Sequence, residues 1–143
     1  SSVVPVEMKR CVVRLDEKKK GAKAERWQRI AESAAKQSGR RVIPVVERPL
    51  SFGEALSRAK EMKVILVPYE NADDIAATRR ILSDVPKGAD CAVFIGPEGG
   101  FEPAEIEALD ALGAKMITLG PRILRTETAG MAFLAMCTLM MEE

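Results

Sequence analysis

Two arginines and a glutamate stand within six positions of one another at Arg122, Arg125 and Glu127. A planar guanidinium pair of this kind holds a phosphate or an enolate-like anion by charge and by paired N–H donors. Two exposed salt bridges would account for the same charges without any ligand. A second segment, Ile95-Gly96-Pro97-Glu98-Gly99-Gly100-Phe101, ends an apolar run in a loop with three glycines. Glycine there lets backbone approach a ligand closely. The loop is no Walker A sequence, because Gly-Lys-Ser/Thr does not follow, and it does not match G-x-G-x-x-G. Triphosphate and dinucleotide binding are therefore demoted. Backbone N–H and C=O groups at a strand end suit an adenine edge or ribose hydroxyls, and a plain tight turn is the alternative. The chain contains no histidine, which removes Ser-His-Asp triads, Cys-His dyads, H-E-x-x-H zinc sites and imidazole bases together.

The elements that must position these residues follow from hydrophobic spacing. Residues 6–15 alternate weakly, and 17–21 read as a charged loop. Trp27, Ile30, Ala31 and Ala34 fall at helical spacing, with Ser38-Gly39 as the stop. Residues 42–46 predict a short strand. Ser51 to Glu54 has capping-box spacing and opens a helix with Phe52, Ala55, Leu56 and Ala59 on its inner face. Three further apolar runs, at 63–67, 91–95 and 115–119, predict buried parallel strands. Between them, Asp73 and Asp74 start a helix anchored by Ile75, Ile81 and Leu82, and Pro103 starts one burying Ile106, Leu109 and Leu112 up to Gly113. Thr126 is placed to N-cap a last helix running to about Met141. The alternation of strands and helices predicts an α/β fold, an open and mostly parallel sheet with helices on both faces. Prolines break three of the strand ends, at Pro68, Pro97 and Pro121, and these ends are expected to meet in one crevice.

At 143 residues and 47% hydrophobic, one globular domain with a sizeable core is expected. The net charge of +1 hides an asymmetry: residues 1–48 carry 13 Lys and Arg against 6 Asp and Glu, and the remainder is net −6. A basic N-terminal third suits a polyanion such as RNA, and a lysine-rich solvated helix face is the alternative. Cys11, Cys91 and Cys137 form no C-x-x-C pair, so neither a disulfide framework nor a zinc site is expected, and a reducing cytoplasm fits. No signal-peptide pattern is found, and the uncharged stretch 128–141 is too short to predict a membrane span. That stretch surrounds its helix with Ala129, Met131, Ala132, Phe133, Leu134, Ala135, Met136, Leu139 and Met140, which predicts burial against a second copy in a homodimer.

The string at residues 95–101 together with Leu119-Gly120-Pro121-Arg122-Ile123-Leu124-Arg125-Thr126-Glu127-Thr128-Ala129 resembles the ribosomal RNA small subunit methyltransferase E family. Residues 26–44 also look like that family's first helix and strand, so the resemblance covers about residues 9–143. It implies a SPOUT-type α/β fold with a C-terminal trefoil knot, a rare exception to unknotted topology. It further implies methylation of N3 of one uridine in 16S rRNA or the small ribosomal subunit, with S-adenosylmethionine as cofactor, no metal, and a site at a homodimer interface. The cofactor residues it implies are Leu66, Val67 and Pro68; Ile95, Gly96, Pro97, Glu98, Gly99 and Gly100; and Leu119, Gly120, Ile123, Leu124 and Thr126. The N3–H is a weak acid, so Arg125 and Arg122 are expected to stabilise the uracil anion, and Glu127, more than Glu98, to take the proton. Glu127 reads equally as a first-turn acid favoured by the helix dipole. Family members carry a PUA-like barrel before this point, so residues 1–22 are read as a junction and 23–143 as the methyltransferase domain. A SPOUT enzyme acting on a ribose 2′-hydroxyl or on tRNA, and a non-catalytic ribosome-associated RNA-binding module, are the competing readings.

Overall fold

A computed structural model describes residues 1–72 and 74–141. The chain divides into two compact units, Ser1–Ala55 and Leu56–Glu143.

In the first unit two short strands, β1 (Ser2–Val3) and β2 (Val6–Glu7), precede the 21-residue helix α1 (Glu17–Gln37). β3 (Val45–Val46) pairs in parallel with β1, and β4 (Leu50–Ser51) with β2. The expected strand at 42–46 is thus reduced to its last two residues. The expected charged loop at 17–21 is instead the first turn of α1. Asp16 caps it by accepting from the Lys19 N–H at 2.8 Å, and Glu17 lies between Lys20 at 3.2 Å and Arg48 at 2.7 Å. Hydrogen bonding from Lys20, and then its charge and that of Arg48, hold the Glu17 carboxyl below the usual carboxylate range. Gln28 fastens β3 to α1: its Oε1 accepts from the Val46 N–H at 2.7 Å and its Nε2 donates to the Pro44 carbonyl at 3.3 Å. The capping box expected at Ser51 forms, with the Ser51 N–H donating to the Glu54 carboxylate at 2.7 Å, at the start of α2 (Phe52–Ala59).

The second unit is built on a three-stranded parallel sheet. β5 (Val64–Pro68) lies between β6 (Cys91–Val93) and β7 (Lys115–Ile117), with Leu66 opposite Val93 on one side and Lys115 on the other. All three strands fall where apolar runs predicted them, because a strand covered on both faces needs no polar alternation. Every strand pair among the described residues is parallel. α3 (Ile75–Ser83) and α4 (Pro103–Ala111) fill the connections, and α5 (Thr126–Met141) closes the chain. The centre of this unit's core is a cluster of Leu66 from β5, Leu82 from α3, Ile117 from β7 and Phe133 from α5, all at most 3% exposed, and Val67 and Leu109 are fully buried as well.

Three further details depart from the sequence expectation. Asp74 is the N-cap of α3, its carboxylate accepting from the Ala77 N–H at 2.8 Å, so it precedes the first turn; Asp73 lies outside the described residues. Ile75, the first residue of α3, is 47% exposed and does not anchor the helix, a task left to Ile81 and Leu82. α5 is two-sided: Phe133, Met136 and Cys137 pack on the core, while Met131, Leu134 and Leu139 are exposed. No helix among the described residues is long and apolar enough to cross a membrane.

Candidate functional site

In a parallel α/β sheet the carboxyl ends of the strands are where loops gather and ligands bind. Beyond β6, the Phe94 N–H still reaches the Leu66 carbonyl at 3.0 Å, and the chain then turns at Pro97, whose carbonyl accepts from the Gly100 N–H at 2.8 Å. Gly100 leaves this turn at φ +72°, a left-handed conformation that favours glycine. Gly96 is required for a different reason. A Cβ there would lie 3.0 Å from the Phe101 ring, so the glycine makes room for Phe101, which folds back onto the loop and is buried.

Beyond β7, the hydroxyl of Thr118 accepts from the Gly120 N–H and donates to the Gly120 carbonyl, both at 3.1 Å. Gly120 takes φ +116°, strained for any other residue, and a Cβ there would meet nothing within 4 Å. Thr126 does not N-cap α5 as expected. Thr126 is the first residue of α5; the Arg125 carbonyl accepts from the Ala129 N–H at 2.8 Å, which places Arg125 in the capping position. The Thr126 hydroxyl is directed elsewhere, to the Gly96 carbonyl at 3.0 Å, so tertiary contact outweighs the local cap.

These loops enclose a cavity of about 730 Å³, within the usual range for a small-molecule site. Pro68 lines it from β5, and Ile95, Gly96, Pro97, Glu98 and Gly100 line it from the glycine loop. Leu119, Gly120, Ile123, Leu124 and Thr126 line it from the last loop, together with Arg122, Arg125 and Glu127. Leu66 and Val67 do not reach it. Both are 0% exposed inside β5, hydrogen-bonded strand on either side, and their place is the core. Gly99, exposed at the tip of the turn, does not line it either. The sequence reading missed Tyr69, Glu70, Ala72, Ile75, Phe101 and Thr118, which do. Tyr69 and Phe101 each adjoin a residue that was singled out, and Thr118 stands two positions before Gly120. Ala72 and Ile75 had no local signal.

Arg122, Arg125, Glu98 and Glu127 are all exposed on the cavity. Neither arginine makes an ion pair among the described residues, so the salt-bridge explanation of the pair finds no partner there. The site combines apolar walls, backbone from two glycine-containing loops, and two guanidinium groups that have no ion-pair partner among the described residues. Among the described residues no group of three or more His, Cys, Asp or Glu is placed to hold a metal ion.

The chain is similar to the ribosomal RNA small subunit methyltransferase E of Bacillus subtilis, 43% identical over 129 residues, which are 88% of this chain and 50% of that protein. Among solved structures it is similar to that of the same enzyme from Neisseria gonorrhoeae bound to S-adenosyl methionine. There the TM-score is 0.77 and the identity 32%, over 97% of this chain and 54% of that one. A Legionella pneumophila structure solved with the bound cofactor SAM gives a TM-score of 0.86 and 32% identity, over 97% of this chain and 55% of that one. The chain spans about half the length of the curated relatives it matches. The RNA methyltransferase domain family matches residues 1–138, nearly the whole chain, and the chain belongs to that family.

Proposed function

We propose that this chain is the cofactor-binding and catalytic part of an S-adenosylmethionine-dependent methyltransferase acting on N3 of a uridine in 16S rRNA. The observation that carries the proposal is the single cavity to which the ends of β5, β6 and β7 contribute, with Arg122, Arg125 and Glu127 on its wall. Its residues fit the cofactor. Ile95, Leu119 and Leu124 offer apolar surface to an adenine ring, and the open space beside Gly120 lets backbone approach polar edges. When bound, the cofactor supplies a sulfonium methyl group open to in-line attack by a nitrogen.

The chain's own residues prepare that nitrogen. Glu127 takes the N3 proton, and Arg125 with Arg122 stabilises the negative charge spread over the uracil oxygens. The planar, permanently charged guanidinium suits this role better than a lysine ammonium. Alignment of the nitrogen with the methyl group supplies a further large part of the rate. Around this chemistry the proposal includes helices on both faces of the three-stranded sheet, the strands of the first unit pairing apart from it, a C-terminal trefoil knot, and a homodimer formed through Met131, Leu134 and Leu139 of α5. It assigns residues 1–22 to the junction with a preceding PUA-like RNA-binding domain and 23–143 to the methyltransferase domain; α1 crosses that boundary. The exposed basic residues of the first unit, Lys18, Lys19, Arg26, Arg29 and Arg41, contact phosphates, and the substrate makes the cytoplasm the site of action.

The test is to incubate the full-length protein with small ribosomal subunits and the cofactor, then map the modified atom by mass spectrometry. Methylation at uridine N3 is expected. In the same assay Arg125→Lys lowers turnover about ten-fold or more with little change in cofactor affinity, and Glu127→Gln lowers turnover sharply. A methyl group on a ribose hydroxyl or on tRNA would overturn the substrate assignment.

A further inference from the structure

Thr78 lies on α3 and contributes nothing to the cavity wall, yet it is one of few buried polar side chains, 3% exposed. Its hydroxyl oxygen accepts from the Thr118 N–H at 3.0 Å, forty residues along the chain. The geometry of that bond is set by the flat peptide linking Ile117 to Thr118. An amide plane points its C=O and N–H in opposite directions. The Ile117 carbonyl accepts from the Tyr69 N–H at 3.0 Å, on the β5 side. The Thr118 N–H therefore points away from β5, off the β7 edge of the three-stranded sheet, where the described residues form no further strand of that sheet to receive it. Thr78 supplies the missing acceptor. The peptide plane at which β7 ends is held from both sides, and the buried Thr118 side chain next to it holds both backbone groups of Gly120.

We propose that Thr78 is a positioning residue for the cofactor site: through Thr118 it fixes the backbone of Leu119 and Gly120, and so the shape of the cavity wall they form. The inference rests on the assignment of that cavity to S-adenosylmethionine. Removing the Thr78 oxygen leaves a buried N–H without a partner, and the peptide plane is free to rotate toward water. Rotation carries Thr118, and with it the turn at Gly120, out of register with the glycine loop. The remainder of the sheet has its own ladder of bonds and stays in place.

Thr78→Val keeps the shape of the side chain and removes the acceptor, while Thr78→Ser keeps the acceptor. Amide hydrogen exchange on the ligand-free protein and calorimetric titration with S-adenosylmethionine read the result. In Thr78→Val the Thr118 and Gly120 amides exchange about ten-fold faster, with Leu66 and Val67 unchanged, and cofactor affinity falls about ten-fold. Thr78→Ser stays close to the parent in both. Should Thr78→Val fail to fold, Thr118→Val removes the hold on Gly120 while leaving the backbone N–H of residue 118 hydrogen-bonded to Thr78, and it is expected to weaken affinity to a similar degree. Equal acceleration at Leu66, Val67 and Gly120 would reduce Thr78 to general stability and overturn the proposal. Unchanged affinity in Thr118→Val would do the same. A parent protein that fails to bind the cofactor contradicts the assignment of the cavity, and the exchange measurement still decides whether Thr78 holds Gly120.

Discussion

The hydroxyl of Thr126 donates to the backbone carbonyl of Gly96 at 3.0 Å, joining the first turn of α5 to the glycine loop thirty residues earlier. Two walls of the cavity are thereby held at a fixed separation, with Arg125 and Glu127 on either side of the residue that holds them. Thr126→Val conserves volume and branching but loses the bond. We expect it to weaken S-adenosylmethionine binding about five- to ten-fold by titration, with the far-ultraviolet circular dichroism of the parent, and Thr126→Ser to recover most of the loss.

Gly96 and Phe101 should behave as a coupled pair. A methyl group at position 96 meets the buried ring at 3.0 to 3.1 Å, so Gly96→Ala forces the ring outward and costs about 1–3 kcal/mol in denaturant unfolding. Phe101→Leu relieves that contact. The double variant Gly96→Ala/Phe101→Leu is expected to be more stable than the sum of the two single losses implies. Strict additivity would show that the ring does not occupy the space the glycine leaves.

In the proposed homodimer the two faces of α5 separate assembly from folding. Leu134 is 66% exposed, and Leu134→Lys should leave the stability of the single chain within about 0.5 kcal/mol while abolishing the dimer in sedimentation. Met136 packs against the Leu66 and Phe133 cluster, so Met136→Lys should cost about 3 kcal/mol or more by burying an unpaired charge. A parent chain that sediments as a monomer at micromolar concentration would remove the dimer from the account.

Alkaline stability should depend on Cys137. Burial, reinforced by the neighbouring Cys91 thiol, pushes Cys137 up to about 11 from an ordinary value of 9.0. As pH rises the unfolded chain ionises first, so the contribution to stability is complete below pH 9 and is lost between 9 and about 11. Cys137→Val should flatten the pH dependence of stability across that window relative to the parent. Parallel profiles for the two proteins would show that the thiol stays protonated no longer in the fold than out of it.

Much of this was legible because the informative signals are local. A continuous apolar run located β5 to within a residue, and glycines next to strand ends located both cavity loops. The start of α1 was missed because Lys18, Lys19 and Lys20 read as a solvated loop; what makes them helical is the Asp16 cap and the Glu17–Lys20 pair, which depend on geometry three residues apart. The resemblance implied Leu66 and Val67 as well as Pro68 at the cofactor, and only Pro68, at the end of β5, lines the cavity; a fully apolar strand does not itself say which residues are interior and which stand at its end. Thr126 was expected to cap its own helix, and its hydroxyl instead serves a loop distant in sequence. The Thr78–Thr118 bond had no local signature at all, since two threonines forty residues apart acquire meaning only when α3 packs beside β7.

The claim on which the rest depends is that S-adenosylmethionine occupies the cavity between the glycine loop and the last loop. Calorimetric titration of the cofactor into residues 1–143 tests it most directly, with Gly120→Val as the comparison. Gly120 sits at φ +116°, where a β-branched residue is strained, so the variant should fold but reshape the wall. One saturable site per chain in the parent, lost or weakened at least about ten-fold in Gly120→Val, is the predicted result. No binding by the parent, or equal binding by both proteins, would contradict it.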